Sequence, residues 1–284
     1  MVPTPASTFV IARPADYFAS METITATNFK IVDETADYIV VDKPTLLLTH
    51  PTKPDQRTTL WKELRELLAF EIANNGQVSI VNRLDRETSG LVLVAKNSGT
   101  ARRFGLLMRQ RSLGKEYLAI VWGWPKWETK TVDAPMDRQG KHRPSAIWLK
   151  QTIHPNGAEA ITEFHVEQHF VRSKYKEKFA LIRAIPKTGR THQIRVHLGS
   201  LGHPIVGDKI YGPNEKLYLE FIQTGWTPEL ERNLLLPRHA LHSAKLNIGN
   251  EKEWVAELPE DLERFIGGCD HFINTALQRG AHES

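Results

Sequence analysis

A charged stretch, Asn82-Arg83-Leu84-Asp85-Arg86-Glu87-Thr88-Ser89-Gly90, lies between two apolar runs, Val78-Ser79-Ile80-Val81 and Leu91-Val92-Leu93-Val94-Ala95. Each run has the length and β-branched content of a buried strand. The fold must therefore bury both flanks in a sheet while holding two arginines and two acids at the junction. Such strand-flanked loops are where rigid scaffolds carry catalytic groups. The bland alternative is a hairpin loop whose charges face water. The order Arg-Leu-Asp-x-x-Thr-Ser-Gly, running directly into an apolar strand, is too particular for that reading.

Around this loop the sequence reads as alternating strands and helices. Tyr38-Ile39-Val40-Val41 is a strand that stops at Asp42-Lys43-Pro44, because proline cannot donate to a ladder. A helix starts at Thr58 or Thr59 with Leu60, Leu64, Leu67, Leu68 and Ile72 on one face, ended by Asn74-Asn75-Gly76. Residues 100–111 are predicted helical, with Phe104, Leu107 and Met108 inward and Arg102, Arg103, Arg109 and Arg111 elsewhere. Lys115–Val121 is a strand stopped at Gly123, and Trp122, Trp124 and Trp127 are expected to pack under the following loop rather than stack on bases. Residues 128–157 read as loop-rich. Strands are expected over 158–168 and 179–185, joined by the basic turn 172–176. A short helix opens in Lys187–Arg195 with Ile194, Leu198 and Leu201 on one side. Lys216–Ile222 reads as helix, followed by a proline-flanked loop. Leu241–Ile248 and Trp254–Leu258 read as strands before a last amphipathic helix carrying Leu262, Phe265, Ile266, Cys269, Phe272, Ile273 and Leu277, weakened by Gly267-Gly268.

Size and composition exclude several classes. The 284 residues suffice for one large domain or two small ones. No run approaches the ~20 apolar residues of a membrane span, and the start lacks a signal pattern. The lone cysteine, Cys269, excludes an internal disulfide and a cysteine-based metal cage, and fits a reducing cytoplasm. A net charge of +4 permits a nucleic-acid partner without demonstrating one. His192 with His197, and His239 with His242, have no acidic partner at zinc-ligand spacing, so no metal is expected. No phosphate-binding Gly-x-x-x-x-Gly-Lys loop, dinucleotide Gly-x-Gly-x-x-Gly turn or Gly-x-Ser-x-Gly elbow is present, and no cofactor is expected.

What remains is Asp85 flanked by Arg83 and Arg86, with a second arginine-rich loop at 187–195. An aspartate beside arginine stays ionised, because the opposite charge lowers its pKa. Held on a rigid loop, it can act as a nucleophile on a sugar or an activated ring carbon, while arginines grip its free oxygen or substrate phosphates. A purely structural Arg–Asp clamp has the same spacing.

Four segments in order resemble the pseudouridine synthases of the RluA type over roughly residues 29–258. They are Lys43-Pro44 with His50-Pro51; Arg83-Leu84-Asp85-Arg86-Glu87-Thr88-Ser89-Gly90; Lys115-Glu116-Tyr117-Leu118-Ala119 with Gly123; and Gly189-Arg190-Thr191-His192-Gln193-Ile194-Arg195-Val196-His197 with Gly202-His203-Pro204-Ile205 and Gly207-Asp208. Two departures stand out: Asn82 where the family usually has histidine, and Thr45-Leu46 where a small residue and glycine are usual.

The resemblance implies an α+β fold, a mixed and mostly antiparallel sheet with helices and loops around a central cleft. It implies isomerisation of uridine to pseudouridine in a structured RNA, a ribosomal or transfer RNA stem-loop. Asp85 is then the nucleophile and Arg195 its salt-bridge partner. Tyr117 packs on the target uracil, with a general-base role open, and Arg83 takes the place of the flipped nucleotide. Arg86, Arg190, His192, Arg102 and Arg103 are expected to contact RNA. Residues 1–28 read as an N-terminal extension and 29–284 as one catalytic domain, with no room for the S4-type domain of many relatives. A cytoplasmic monomer is expected. Two rivals stay open. One is an idle RNA-binding or ribosome-assembly protein on the same scaffold. The other is a different aspartate-nucleophile enzyme, needing a second carboxylate or a magnesium site, for which Glu87 is the only nearby acid in sequence.

Overall fold

The computed structural model describes residues 29–51, 58–172, 174–268 and 271–273; the extension expected over 1–28, Cys269 and Leu277 lie outside them. In chain order the strands are β1 (Lys30–Glu34), β2 (Tyr38–Lys43), β3 (Ser79–Ile80), β4 (Ser89–Ala95), β5 (Leu113–Trp122), β6 (Thr129–Asp133), β7 (Met136–Arg138), β8 (Gln151–Ile153), β9 (Ile161–Arg172), β10 (Glu177–Pro186), β11 (Leu241–Ile248), β12 (Lys252–Val255) and β13 (His271–Ile273). The helices are α1 (Leu60–Leu67), α2 (Ala69–Ala73), α3 (Ser98–Arg109), α4 (Gln193–Ser200), α5 (Lys216–Thr224), α6 (Pro228–Leu234) and α7 (Glu260–Gly267). No described helix is long and apolar enough to cross a membrane.

One large sheet runs in the order β1-β2-β4-β11-β5-β10-β9-β13, with β3, β6 and β12 paired off this path. Its pairs are antiparallel except for β4 with β11, where Ser89 faces His242 and Gly90 faces Ser243. The predicted mixed, mostly antiparallel sheet is what forms.

The sheet is covered on both faces, and period-two alternation sorts its side chains. Val40, Leu91 and Leu93 pack with Phe104 of α3 in one cluster, whereas Ile39, Val41, Val92 and Val94 join the larger cluster. The second cluster takes in Leu60 and Leu64 of α1, Ile194 and Leu198 of α4, and Leu262 and Phe265 of α7. Every residue of β4 is buried. A one-residue slip of β4 would exchange its two packed faces and put a side chain in place of Gly90 against the Ser243 backbone, so packing on both faces fixes the register. The charged loop is thus fixed at its downstream end. Gly90 makes the junction possible: its φ is 108°, and a Cβ there would lie 2.3 Å from the Ser243 carbonyl oxygen.

Several expectations need correction. The upstream run 78–81 is only half-buried and contributes just Ser79–Ile80 to the ladder, so it is an edge rather than a core strand. In α1 the N-cap Thr59 accepts from Lys62 N–H and Leu60 and Leu64 are buried, but Leu67 is 50% exposed, because the helix breaks at Leu68 before α2. Residues 128–157 are not mainly loop: they hold β6, β7, a 3-10 turn at Gln139–Lys141, and β8. β6 is a mostly exposed edge strand of polar sequence, so it leaves no apolar alternation to read. The proline-flanked segment contains α6, with Thr227 capping and Pro228 in the first turn, where proline starts a helix instead of breaking one. The last helix stops at Gly267, and His271–Ile273 pairs with β9.

The tryptophans pack as expected. Trp122 lies 5.2 Å from Phe179, Trp127 lies 6.3 Å from Phe164, and Trp124 donates to the Phe170 carbonyl.

Candidate active site

Local hydrogen bonds shape the loop between β3 and β4. Asn82, 4% exposed, donates to the Leu91 carbonyl and accepts from Leu93 N–H, clipping the loop's start to β4. Asparagine here pairs the buried Leu93 N–H and shares the Leu91 carbonyl with the Ser243 hydroxyl. Thr49 Oγ1 donates to the Leu84 carbonyl and accepts from Leu84 N–H. Thr88 N–H closes a turn on the Asp85 carbonyl, and Thr88 Oγ1 lies 2.7 Å from His239 Nε2. Asp85 therefore sits at the head of a turn fastened on both sides.

The second departure also has a visible consequence. Leu46 has φ 68°, the left-handed region that favours glycine. Its carbonyl accepts from Arg86 Nε at 3.0 Å, and Thr45 Oγ1 donates to the Glu87 carbonyl. Lys43 is fully buried beneath, with Nζ donating to the carbonyls of Pro44, Leu47 and Arg86. The Lys-Pro segment is the buckle that holds the Asp85 loop from behind.

Asp85 opens into a cavity of about 270 Å³ lined also by Tyr117, Lys115, Arg83, Arg190, His192 and Arg195. Its side chain is 30% exposed. Arg195 projects from α4, a helix buried over Gln193–Leu198, and its Nη1 donates to Asp85 Oδ2 at 2.8 Å. The other edge of the guanidinium makes a fork with Asp208, Nε to Oδ2 at 2.7 Å and Nη2 to Oδ1 at 2.9 Å. Asp208 further accepts from the backbone N–H groups of Ile210 and Tyr211. Burial pushes the Asp85 carboxyl up, but His192, which is protonated only in the acid range where a carboxyl titrates, together with Arg195 and His239 outweighs it, so the carboxyl titrates below its ordinary value. Asp208 is held well below the carboxylate range, and Arg195 is held protonated by both partners.

Tyr117 lies on β5, 8% exposed, opposite Ser243 of β11. Burial pushes its phenol up to about 12, against a hydrogen bond with Ser243. A neutral phenol suits stacking and hydrogen bonding better than proton abstraction at neutral pH. His192 stands between Tyr211 and Asp85, and burial followed by the Arg195 charge lowers its imidazole to about 4. Arg83 and Arg190 are exposed at the cavity. Arg86 is spent on the Leu46 carbonyl and does not line the cavity, nor do Arg102 and Arg103, which are exposed on α3 with Arg103 ion-paired to Glu251.

Sequence reasoning missed three contributors. Asp208, reached only through the fold, is a second acid beside Arg195, so Glu87 is not alone. Lys115 is buried, lines the cavity and has no ion-pair partner among the described residues, so it can meet an anionic oxygen. Tyr211 braces His192. Asp208 and Lys115 stand in the motifs quoted above without an assigned role, and Tyr211 only follows one of them.

Rival chemistries fit the arrangement poorly. Glu87 accepts from Lys209 at 2.8 Å and from His239 N–H, and lies well below the usual carboxylate range. A glycosidase acid needs a raised pKa, whereas both neighbouring acids, Glu87 and Asp208, are locked ionised. The histidine pairs separate into local contacts: His197 with Thr162 and Ala134, His242 with Ser89. No group of three metal-ligating side chains occurs among the described residues.

Comparison with known proteins gives one consistent picture. A family described as RNA pseudouridylate synthase matches residues 37–200. Ribosomal large subunit pseudouridine synthase D of Nitrosomonas europaea is 32% identical over 261 residues, 89% of this chain and 69% of that protein. The same-named protein of Escherichia coli K12 is 33% identical over 83% of this chain and 69% of its own length. An uncharacterized RNA pseudouridine synthase, YlyB, of Bacillus subtilis is 31% identical over 93% and 77%. Among solved structures, human RNA Pseudouridylate Synthase Domain Containing 4 superposes with TM-score 0.65 at 22% identity, covering 90% of this chain and 95% of that one, which supports the fold.

Proposed function

The chain belongs to the RNA pseudouridylate synthase family, and from that premise we propose that Asp85 carries its reaction, with Arg195 as counter-ion and Tyr117 against the uracil. The reaction converts uridine in RNA to pseudouridine: the N1–C1′ bond breaks, the freed uracil turns, C1′ is joined to C5, and C5 gives up its proton while N1 takes one. The observation that carries the assignment is the asymmetry of one carboxylate. Asp85 Oδ2 is held by Arg195, while Oδ1 has no hydrogen-bond partner among the described residues and the group faces the cavity. One oxygen is aimed and the other is free to react, on an ionised group inside a fixed turn.

A uridine reaches that oxygen only by leaving its stack, at a cost of a few kcal/mol. Arg83, at the mouth, is suited to fill the vacated place, and Arg190 to meet a flanking phosphate. Arg102 and Arg103 would extend the basic face along α3. Residues 29–284 would act as a single catalytic unit. Large-subunit ribosomal RNA is the first substrate to test, because the relatives named above carry that designation; transfer RNA is the second.

The test is a pseudouridine map of both RNAs from cells with and without the gene, rescued by wild type or Asp85→Asn. A site that vanishes and returns only with wild type identifies activity and substrate together. Purified Asp85→Asn is expected to bind that RNA and form no product. Substantial turnover by the variant would refute the assignment of Asp85.

A further inference from the structure

We propose that His192 is a catalytic residue that donates a hydrogen bond to the uracil as the glycosidic bond breaks, and that Tyr211 is the positioning residue that fixes its tautomer and aim. The inference rests on Asp85 being the reacting carboxylate and deepens that reading.

The first observation is backbone strain. His192 has φ 59° and ψ 16° at the N-cap of α4, and its side chain caps nothing. The left-handed region costs an L-residue roughly 1–2 kcal/mol. Serine or aspartate would cap the helix and glycine would take the angle without cost; the His192 ring caps nothing. Strain of this kind persists where the side chain is needed in place.

The second observation is the ring's surroundings. The His192 side chain is 8% exposed, with Nδ1 2.8 Å from the Tyr211 hydroxyl oxygen and Nε2 3.9 Å from Asp85 Oδ2. That same hydroxyl oxygen accepts the Gln151 backbone N–H at 2.8 Å. Burial raises the Tyr211 phenol above its ordinary value, so it keeps its proton. Among the described residues, His192 Nδ1 is the acceptor within reach of that proton. Nδ1 is therefore the acceptor and the imidazole proton resides on Nε2. At 3.9 Å from Asp85, that N–H is too far for a hydrogen bond. It is an unspent donor pointing at the carboxylate where C1′ and the uracil must lie. Its neutrality lets it sit beside Arg195 without repulsion.

The chemistry needs such a donor. When N1–C1′ breaks, the electron pair stays on the uracil and spreads to its carbonyl oxygens. C1′ is compensated by Asp85, either through a bond to a carboxylate oxygen or by passing its C2′ proton there. The His192 proton stays on Nε2 throughout, and its hydrogen bond to a uracil oxygen strengthens as charge accumulates.

Tyr211→Phe removes one oxygen and leaves the ring packing in place. Its single-turnover rate at saturating RNA should fall roughly tenfold or more, with RNA affinity within about twofold. The ¹⁵N spectrum of the His192 ring should change from the pure Nε2–H tautomer to a mixture. His192→Asn, which tolerates the backbone angle, should lose on the order of 10²-fold in rate with its melting temperature retained. A Tyr211→Phe rate within about twofold of wild type, or an unchanged tautomer, overturns the proposal. So does a loss that appears in affinity alone, which would make His192 an RNA contact. If Asp85→Asn is inactive in the same assay, such results refute only this inference; an active Asp85→Asn refutes the reading beneath it.

Discussion

Replacing Arg195 by methionine tests the electrostatic core of the site. The substitution keeps the stem's bulk and deletes three charge-assisted hydrogen bonds, at 2.7 and 2.9 Å to Asp208 and 2.8 Å to Asp85. Asp208, 1% exposed, is left with two backbone N–H donors and no counter-charge. Removing one partner of a buried pair costs about 3–5 kcal/mol, and a domain of this size loses roughly 2–4 °C of Tm per kcal/mol. A fall on the order of 10 °C is expected. The pH dependence should reverse. In wild type the Asp208 pKa is depressed, so its stabilisation is present above the unfolded value of about 3.9 and is lost as pH falls through the folded value. Without Arg195, burial dominates and lifts the folded pKa above the unfolded one. The native variant then holds the extra proton, and its stability declines as pH rises from about 4 to 7. Urea melts at pH 5 and pH 7 measure this directly. Catalysis should drop on the order of 10²-fold in single turnover, with RNA affinity little changed because Arg195 is only 5% exposed. A cost below about 1 kcal/mol, with a pH profile parallel to wild type, would refute the claim that Arg195 is the counter-ion shared by both carboxylates.

Two further outcomes are expected. Burial pushes the Lys43 ammonium down to about 7, Asp85 opposing, so the unfolded chain binds more protons between about 7 and 10; wild type should gain stability across that span in urea melts, and Lys43→Met should not. Arg102→Ala with Arg103→Ala should weaken RNA binding and reduce the slope of log K against log salt by roughly one for each phosphate no longer neutralised; an unchanged slope would remove α3 from the RNA face.

The parts of the fold legible in the sequence were those whose burial is continuous. β11 runs over Leu241–Ile248 as read, and α3 buries Phe104 as read, because apolar period alone specifies them. β6 and β13 were invisible for the opposite reason: an edge strand is stabilised by backbone pairing to β9, which no side-chain period reports. The site divides similarly. Asp85 could be singled out from its loop, and its pairing with Arg195, expected from the family resemblance, spans 110 positions. Asp208 stood in a motif without a role, since nothing local says that its carboxylate meets a guanidinium thirteen residues earlier. The Leu46 substitution read as a departure, yet the backbone keeps the glycine-like angle and the loop's hydrogen bonds absorb the strain.

The charge arrangement also explains how the site can bind a polyanion while using a carboxylate. Arg195 carries one positive charge against the two negative charges of Asp85 and Asp208, and His192 is neutral, so the carboxylate–guanidinium–carboxylate group at the floor of the cavity keeps an excess of negative charge at pH 7. A phosphate entering that floor would meet a like charge in a medium of low dielectric, where repulsion is several-fold stronger than in water. A uracil and its ribose carry no charge and meet none. Arg83 and Arg190 at the mouth and Lys115 on the wall, cations without ion-pair partners among the described residues, stand where phosphates of a flipped nucleotide would remain. Placing cations at the rim and a residual anion at the floor therefore orients the nucleotide before any chemistry begins: base and sugar inward, backbone outward. On the role proposed for Asp85, that orientation would bring C1′ to its free oxygen.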